Sequence, residues 1–195
     1  MTEIYLLRHG DTGLPYVLVG STDAPLAAHA RAGLQESGRL LSAIDFDHIW
    51  CSPMLRCRET LATVLPGAKA EFVDDLREVD FGLWEMMKFP EISKQYPGEA
   101  ARLAAWDPDF AFPGGESIAS YLARAAAIRE RVTATCAGHG QKILLVTHSG
   151  IIRQLLCGWL RIPSRHYVVF SVQFGKIATL SLHTRGGVLN GFNLG

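Results

Sequence analysis

The sequence predicts an α/β fold, a three-layer α/β/α sandwich around a mostly parallel central sheet. Short apolar runs such as Ile4-Tyr5-Leu6-Leu7 and Ile143-Leu144-Leu145-Val146 read as strands buried on both faces. Segments of helical spacing lie between the runs, and strands alternating with helices build a sheet covered on both sides. The third observation is positional. The first run leads into Arg8-His9-Gly10 and the second into Thr147-His148-Ser149-Gly150. Polar residues at the carboxyl ends of parallel strands face the crevice where such sheets bind ligands, so the two histidines are expected in one site.

The remaining elements follow in order. Residues 10–26 are rich in Gly, Pro, Thr and Asp and read as a functional loop over the first strand end. The spacing predicts a helix over 27–44, burying Leu34, Leu40, Leu41 and Ile44. A strand is expected over 46–51. Ser52-Pro53 then places a favoured cap residue before proline at the first helical position, and that helix stops near Leu65 at Pro66-Gly67. A short strand is expected over 70–73. Residues 74–115 form an irregular insertion with aromatics, prolines and only short helical patches, the kind of segment that carries function. A helix over 117–137, the strand at 143–147, a helix over 151–160 and strands near 167–171 and 177–183 complete one domain spanning 1–195.

At 195 residues the chain can bury a full core. Nineteen Lys and Arg balance nineteen Asp and Glu, so nothing draws the chain to nucleic acid or an anionic membrane, and any anion site is local. No apolar run approaches the roughly 20 residues that cross a bilayer. The start of the chain lacks a signal-peptide pattern. Cys51, Cys57, Cys136 and Cys157 show no Cys-x-x-Cys spacing, which favours reduced thiols and a cytoplasmic setting over disulfides or structural zinc.

The residue types at the strand ends suit phosphate chemistry. Arginine is shaped for bidentate contact with phosphate oxygens, and histidine is a nucleophile toward phosphorus. Gly10 allows the backbone to approach an anion closely. The second histidine precedes a helix whose free N–H groups can face an anion; protonated, it would add positive charge against a phosphoryl group. Arg56 sits near the start of a helix, where a cation is mildly disfavoured unless an anion binds there. Glu78, Asp80 and Glu85 all qualify as a proton donor by residue type.

Together these segments resemble the histidine phosphatase superfamily, which includes the phosphoglycerate mutases. Arg8-His9-Gly10-Asp11-Thr12 is similar to the family's Arg-His-Gly-Glu-Thr signature, and Ser52-Pro53-Met54-Leu55-Arg56-Cys57 to its Ser-Pro-Leu-x-Arg-Ala element. Glu78 to Trp84 is similar to Glu-x-x-Phe-Gly-x-Trp. Gly114-Gly115-Glu116-Ser117 and Val146-Thr147-His148-Ser149-Gly150 complete five motifs in order. The resemblance implies a phosphoglycerate mutase-like fold and a phosphomonoesterase acting through a phosphohistidine on His9. It implies Arg8, Arg56 and His148 around the phosphate, Glu78 as proton donor, and neither a metal nor another cofactor.

Within the family, Gly20-Ser21-Thr22-Asp23-Ala24-Pro25-Leu26 and Phe81-Gly82-Leu83-Trp84-Glu85-Met86 resemble segments of the branch that dephosphorylates α-ribazole 5′-phosphate in cobalamin biosynthesis. Thr12, Gly20, Ser21 and Thr22 are then expected in a substrate loop, with a small phosphomonoester as the partner. Asp11, Pro15 and Ala30 depart from the family pattern. The competing readings are a phosphoglycerate mutase, a broad-specificity sugar or metabolite phosphatase, a metal-dependent hydrolase, and a phospho-ligand binding module with weak catalysis. Oligomeric state is not legible. Trp84, Trp106, Phe110 and Phe112 either line an aromatic-accepting pocket or pack the insertion.

Overall fold

The computed structural model describes residues 1–135, 140–184 and 186–195. Six strands form one sheet in the order β3-β2-β4-β1-β5-β6: β1 (Thr2–Arg8), β2 (His48–Cys51), β3 (Glu71–Phe72), β4 (Lys142–Thr147), β5 (Ile177–His183) and β6 (Gly186–Leu194). The first four are mutually parallel; β5 runs antiparallel to β1, and β6 antiparallel to β5. The mostly parallel three-layer sandwich expected from the sequence is therefore present.

Alternation along β4 explains the layers. Ile143 and Leu145 join one apolar cluster while Leu144 and Val146 join the other, because successive strand side chains point to opposite faces. The first cluster packs under α6 (Ile118–Thr135) and α7 (Ser149–Leu160) through Ile128, Val132, Ile152 and Leu155. The second packs under α2 (Gln35–Ser42) and α3 (Leu55–Val64) through Leu41, Cys57, Leu61 and Val64. Each fully buried aliphatic side chain here contributes roughly 1.5–3 kcal/mol.

The helix expected over 27–44 is broken. A short α1 (Ala30–Gly33) ends where Leu34 departs to φ −94°, ψ −7°, and α2 begins anew. The break follows Gly33, the residue type that loses most entropy in a helix. Leu34 and Leu41 are buried as expected, whereas Leu40 and Ile44 are only half-buried. The helix expected from Pro53 starts at Leu55 instead, because the Ser52 hydroxyl is drawn to His148 at 2.9 Å. Asp23 from the preceding loop accepts the Leu55 N–H in its place at 2.6 Å.

The insertion holds α4 (Phe89–Gln95) and α5 (Pro97–Ala104), with single 3-10 turns at Asp74–Leu76 and Gly82–Trp84. The strand expected near 167–171 is a 3-10 segment, Ser164–Val169, with Val168 and Val169 exposed. It does not pair with β5, whose two sides β1 and β6 occupy. The missed strand is β6, whose Gly186, Gly187, Asn190, Gly191 and Asn193 give it little strand propensity. The end of the helix expected to reach Ala137, and Cys136, lie outside the described residues.

Candidate active site

Register places the histidines. In the parallel β1–β4 ladder Leu7 faces Val146 and Arg8 faces Thr147, so the next residues, His9 and His148, leave the sheet side by side. The His9 amide donates to the Thr147 carbonyl at 2.9 Å, and the two imidazole centroids stand 5.1 Å apart. On the other side of β4, Cys51 of β2 pairs with Val146, which brings Ser52 under the His148 ring. Both rings are buried.

The tautomers follow from the partners. His9 Nδ1 lies 2.7 Å from the Gly10 carbonyl. A carbonyl only accepts, so Nδ1 carries the proton and Nε2 the lone pair. His148 is the reverse: Arg56 Nε donates to its Nδ1 at 3.1 Å, so Nε2–H donates to Ser52 Oγ. Burial, reinforced by nearby charged groups, holds both histidines well below the ordinary value of 6.5. The positive charge considered for His148 is thus absent, and the ring is neutral because its Nδ1 is already an acceptor.

Positive charge comes from two arginines. Arg8 Nη1 donates to the Val172 carbonyl at 2.7 Å and its guanidinium lies 3.6 Å from the Phe174 ring centroid. Burial lowers its pKa to about 10, which leaves it cationic at neutral pH. Arg56 is fully buried. Beyond His148 it donates to the carbonyls of Thr22 and Gly20, each at 2.8 Å, so it ties α3 to the loop. Thr60 extends the tie by accepting the Gly10 N–H at 2.9 Å while donating to the Arg56 carbonyl at 2.6 Å.

The three candidate carboxylates separate. Glu78 faces a cavity of about 120 Å³ that is also lined by Arg8, His9, Thr12 and Ser149. Its Oε2 accepts the Gly150 N–H at the start of α7 at 2.9 Å. Two anchors place it: Thr147 Oγ1 donates to the Leu76 carbonyl at 2.6 Å, and Arg124 of α6 donates to the Asp75 and Arg77 carbonyls while paired with Glu116 at 2.7 Å. Glu85 instead accepts the N–H groups of Gly20, Ser21 and Thr22, and the Thr22 hydroxyl at 2.6 Å. Asp80 accepts the Ser21 hydroxyl at 2.9 Å. Of the expected substrate loop, Thr12 reaches the His9 cavity, while the Gly20, Ser21 and Thr22 amides are consumed by Glu85. Asp11 turns away from the cavity, accepting from Gly13 at 2.8 Å and pairing with His29 at 3.1 Å.

A second cavity, about 250 Å³, adjoins the first, with Leu18, Glu78, Phe81 and Ser149 lining both. Its walls include Phe81, Phe89, Trp106, Phe112, Tyr121 and Tyr167. Of the four aromatics singled out in the insertion, Trp106 and Phe112 line this space, while Trp84 and Phe110 are fully buried packing. Sequence reasoning assigned no role to Ser149, Arg153, Tyr121, Tyr167 or Phe174. Arg153 was detectable as the residue four past Ser149 on one helix face; the others carry no local signal. Among the described residues no three His, Cys, Asp or Glu side chains gather as a metal site requires, and no helix is long and apolar enough to cross a membrane.

This architecture has solved counterparts. The α-ribazole phosphatase of Shigella flexneri superposes with a TM-score of 0.86 at 24% identity, covering 98% of this chain and 96% of that one. In sequence, the adenosylcobalamin/α-ribazole phosphatase of Escherichia coli K12 is 26% identical over 198 residues, 98% of this chain and 95% of its own length. Phosphoserine phosphatase 1 of Hydrogenobacter thermophilus is 24% identical over 198 residues, 100% and 93% of the two chains. Residues 4–195 match the model of the histidine phosphatase superfamily, branch 1, and the chain belongs to that family of phosphatases.

Proposed function

We propose that the chain, acting as one domain over 1–195, is a phosphomonoesterase that works through phospho-His9 without a metal. The observation that carries the reading is the His9 Nδ1 contact with the Gly10 carbonyl, which leaves a neutral Nε2 lone pair as the nucleophile. Nε2 attacks phosphorus and the ester P–O bond breaks. Glu78 delivers a proton to the departing alkoxide. Its carboxylate then takes a proton from water as the water oxygen attacks phosphorus, the N–P bond breaks, and inorganic phosphate leaves. Arg8 and Arg56 balance the phosphoryl charge, and neutral His148 packs beside it and orients Arg56. Thr12 completes the phosphate cavity.

The leaving alcohol occupies the aromatic cavity across Glu78. A cavity of roughly 150 Å³ holds benzene, so about 250 Å³ accommodates a larger ring system. This supports α-ribazole 5′-phosphate, whose base is a flat apolar bicycle, as the substrate. Rapid quench with radiolabelled substrate is expected to place acid-labile, base-stable label on the protein, and His9→Ala is expected to lose both label and turnover. An active enzyme that never acquires label rules out the covalent route. Exhaustive chelation should leave turnover intact, separating this reading from a metal-dependent hydrolase. In a panel of phosphomonoesters, kcat/KM should be higher for α-ribazole phosphate than for phosphoserine or phosphoglycerates; the opposite order reassigns the substrate.

A further inference from the structure

We propose that Arg153 is the specificity-determining residue of the leaving-group cavity, donating to a hydrogen-bond acceptor on the far edge of a flat apolar leaving group. The proposal rests on the reading that the aromatic cavity holds the leaving alcohol. Arg153 lies one turn beyond Ser149 on α7 and lines that cavity but not the His9 cavity. Its Nε donates to the Phe170 carbonyl at 2.8 Å, which fixes the guanidinium. The Tyr167 ring lies 5.9 Å from Cζ, and Tyr167 packs on Trp106 at 5.1 Å.

Among the described residues the two terminal nitrogens of Arg153 have no hydrogen-bond partner, and no carboxylate pairs with it. Filling the cavity removes these half-buried donors from solvent, which costs free energy unless an acceptor meets them. The neighbouring acid, Glu78, is held by Gly150 and Val79 N–H groups. A ligand that displaces solvent from the cavity is therefore the group that has to supply the acceptor. A ring nitrogen and a carboxylate both supply this chemistry.

The test compares matched aryl phosphates. Quinolinyl phosphate against 2-naphthyl phosphate adds one ring nitrogen, and 4-carboxyphenyl phosphate against phenyl phosphate adds a carboxylate. The native enzyme is expected to prefer the acceptor-bearing member of at least one pair by about tenfold in kcat/KM, expressed in KM. Which pair responds identifies the acceptor. In Arg153→Met the ratio should collapse toward one, and in Arg153→Lys it should partly persist. Normal turnover with no preference in either pair, or a preference that survives in Arg153→Met, overturns the assignment. Absence of turnover or phosphohistidine in the native protein instead rejects the catalytic reading. Binding of 4-hydroxybenzoate and phenol, followed by tryptophan fluorescence, reads the same contrast with no chemistry involved.

Discussion

The Glu78 carboxylate and the Gly150 amide meet at 2.9 Å across 72 residues of chain. A glycine is required for that meeting. A Cβ at position 150 would collide with Glu78 Oε1 and stand 2.6 Å from the Tyr121 hydroxyl. The last motif thus contributes its missing side chain as much as its histidine.

Gly150→Ala is expected to fold, because the obstructing atoms end side chains, but to lose about 10²-fold in kcat by displacing Glu78. The loss should be larger for an alkyl phosphate, whose alkoxide needs a proton, than for p-nitrophenyl phosphate. Equal losses on the two substrates would remove Glu78 from the donor role.

Glu85 gathers the backbone donors of Gly20, Ser21, Thr22 and Phe81. In Glu85→Gln the amide presents its own donors to donors, which is expected to destabilise the protein by about 1–3 kcal/mol. Denaturant unfolding measures this. An unchanged midpoint would mean that the loop has another anchor.

The neutral histidines make stability fall in acid. Their folded pKa values lie well below 6.5, so below pH 6.5 the unfolded chain binds protons that the folded chain excludes, and stability rises with pH through that window. Urea midpoints taken from neutrality down to about pH 5 should drop more steeply for the native protein than for His148→Asn, which removes one of the two groups. Parallel profiles would show that His148 does not resist protonation.

Much of the site was legible because its signals are local. An apolar run ending in Arg8-His9 or Thr147-His148 states both the strand and what its end presents. Position marks Ser52 as a helix cap, and the family resemblance marks Arg56 as a phosphate ligand. Their bonds to His148, and those of Arg56 to the Gly20 and Thr22 carbonyls, depend on β2 and β4 lying side by side. Glu78 and Glu85 are indistinguishable by residue type; only the surrounding N–H groups sort one to the cavity and the other to the loop.

By itself the sequence determined the α/β class, the buried strands and the residues converging at their ends, since periodicity and residue chemistry act over a few positions. Tertiary structure decided the rest. It turned β6 into a strand against its glycine-rich composition because β5 offered an open edge. It also set the tautomers of His9 and His148, because a ring nitrogen takes its role from the atom facing it, and those atoms come from Gly10, Ser52 and Arg56 only once the chain has closed.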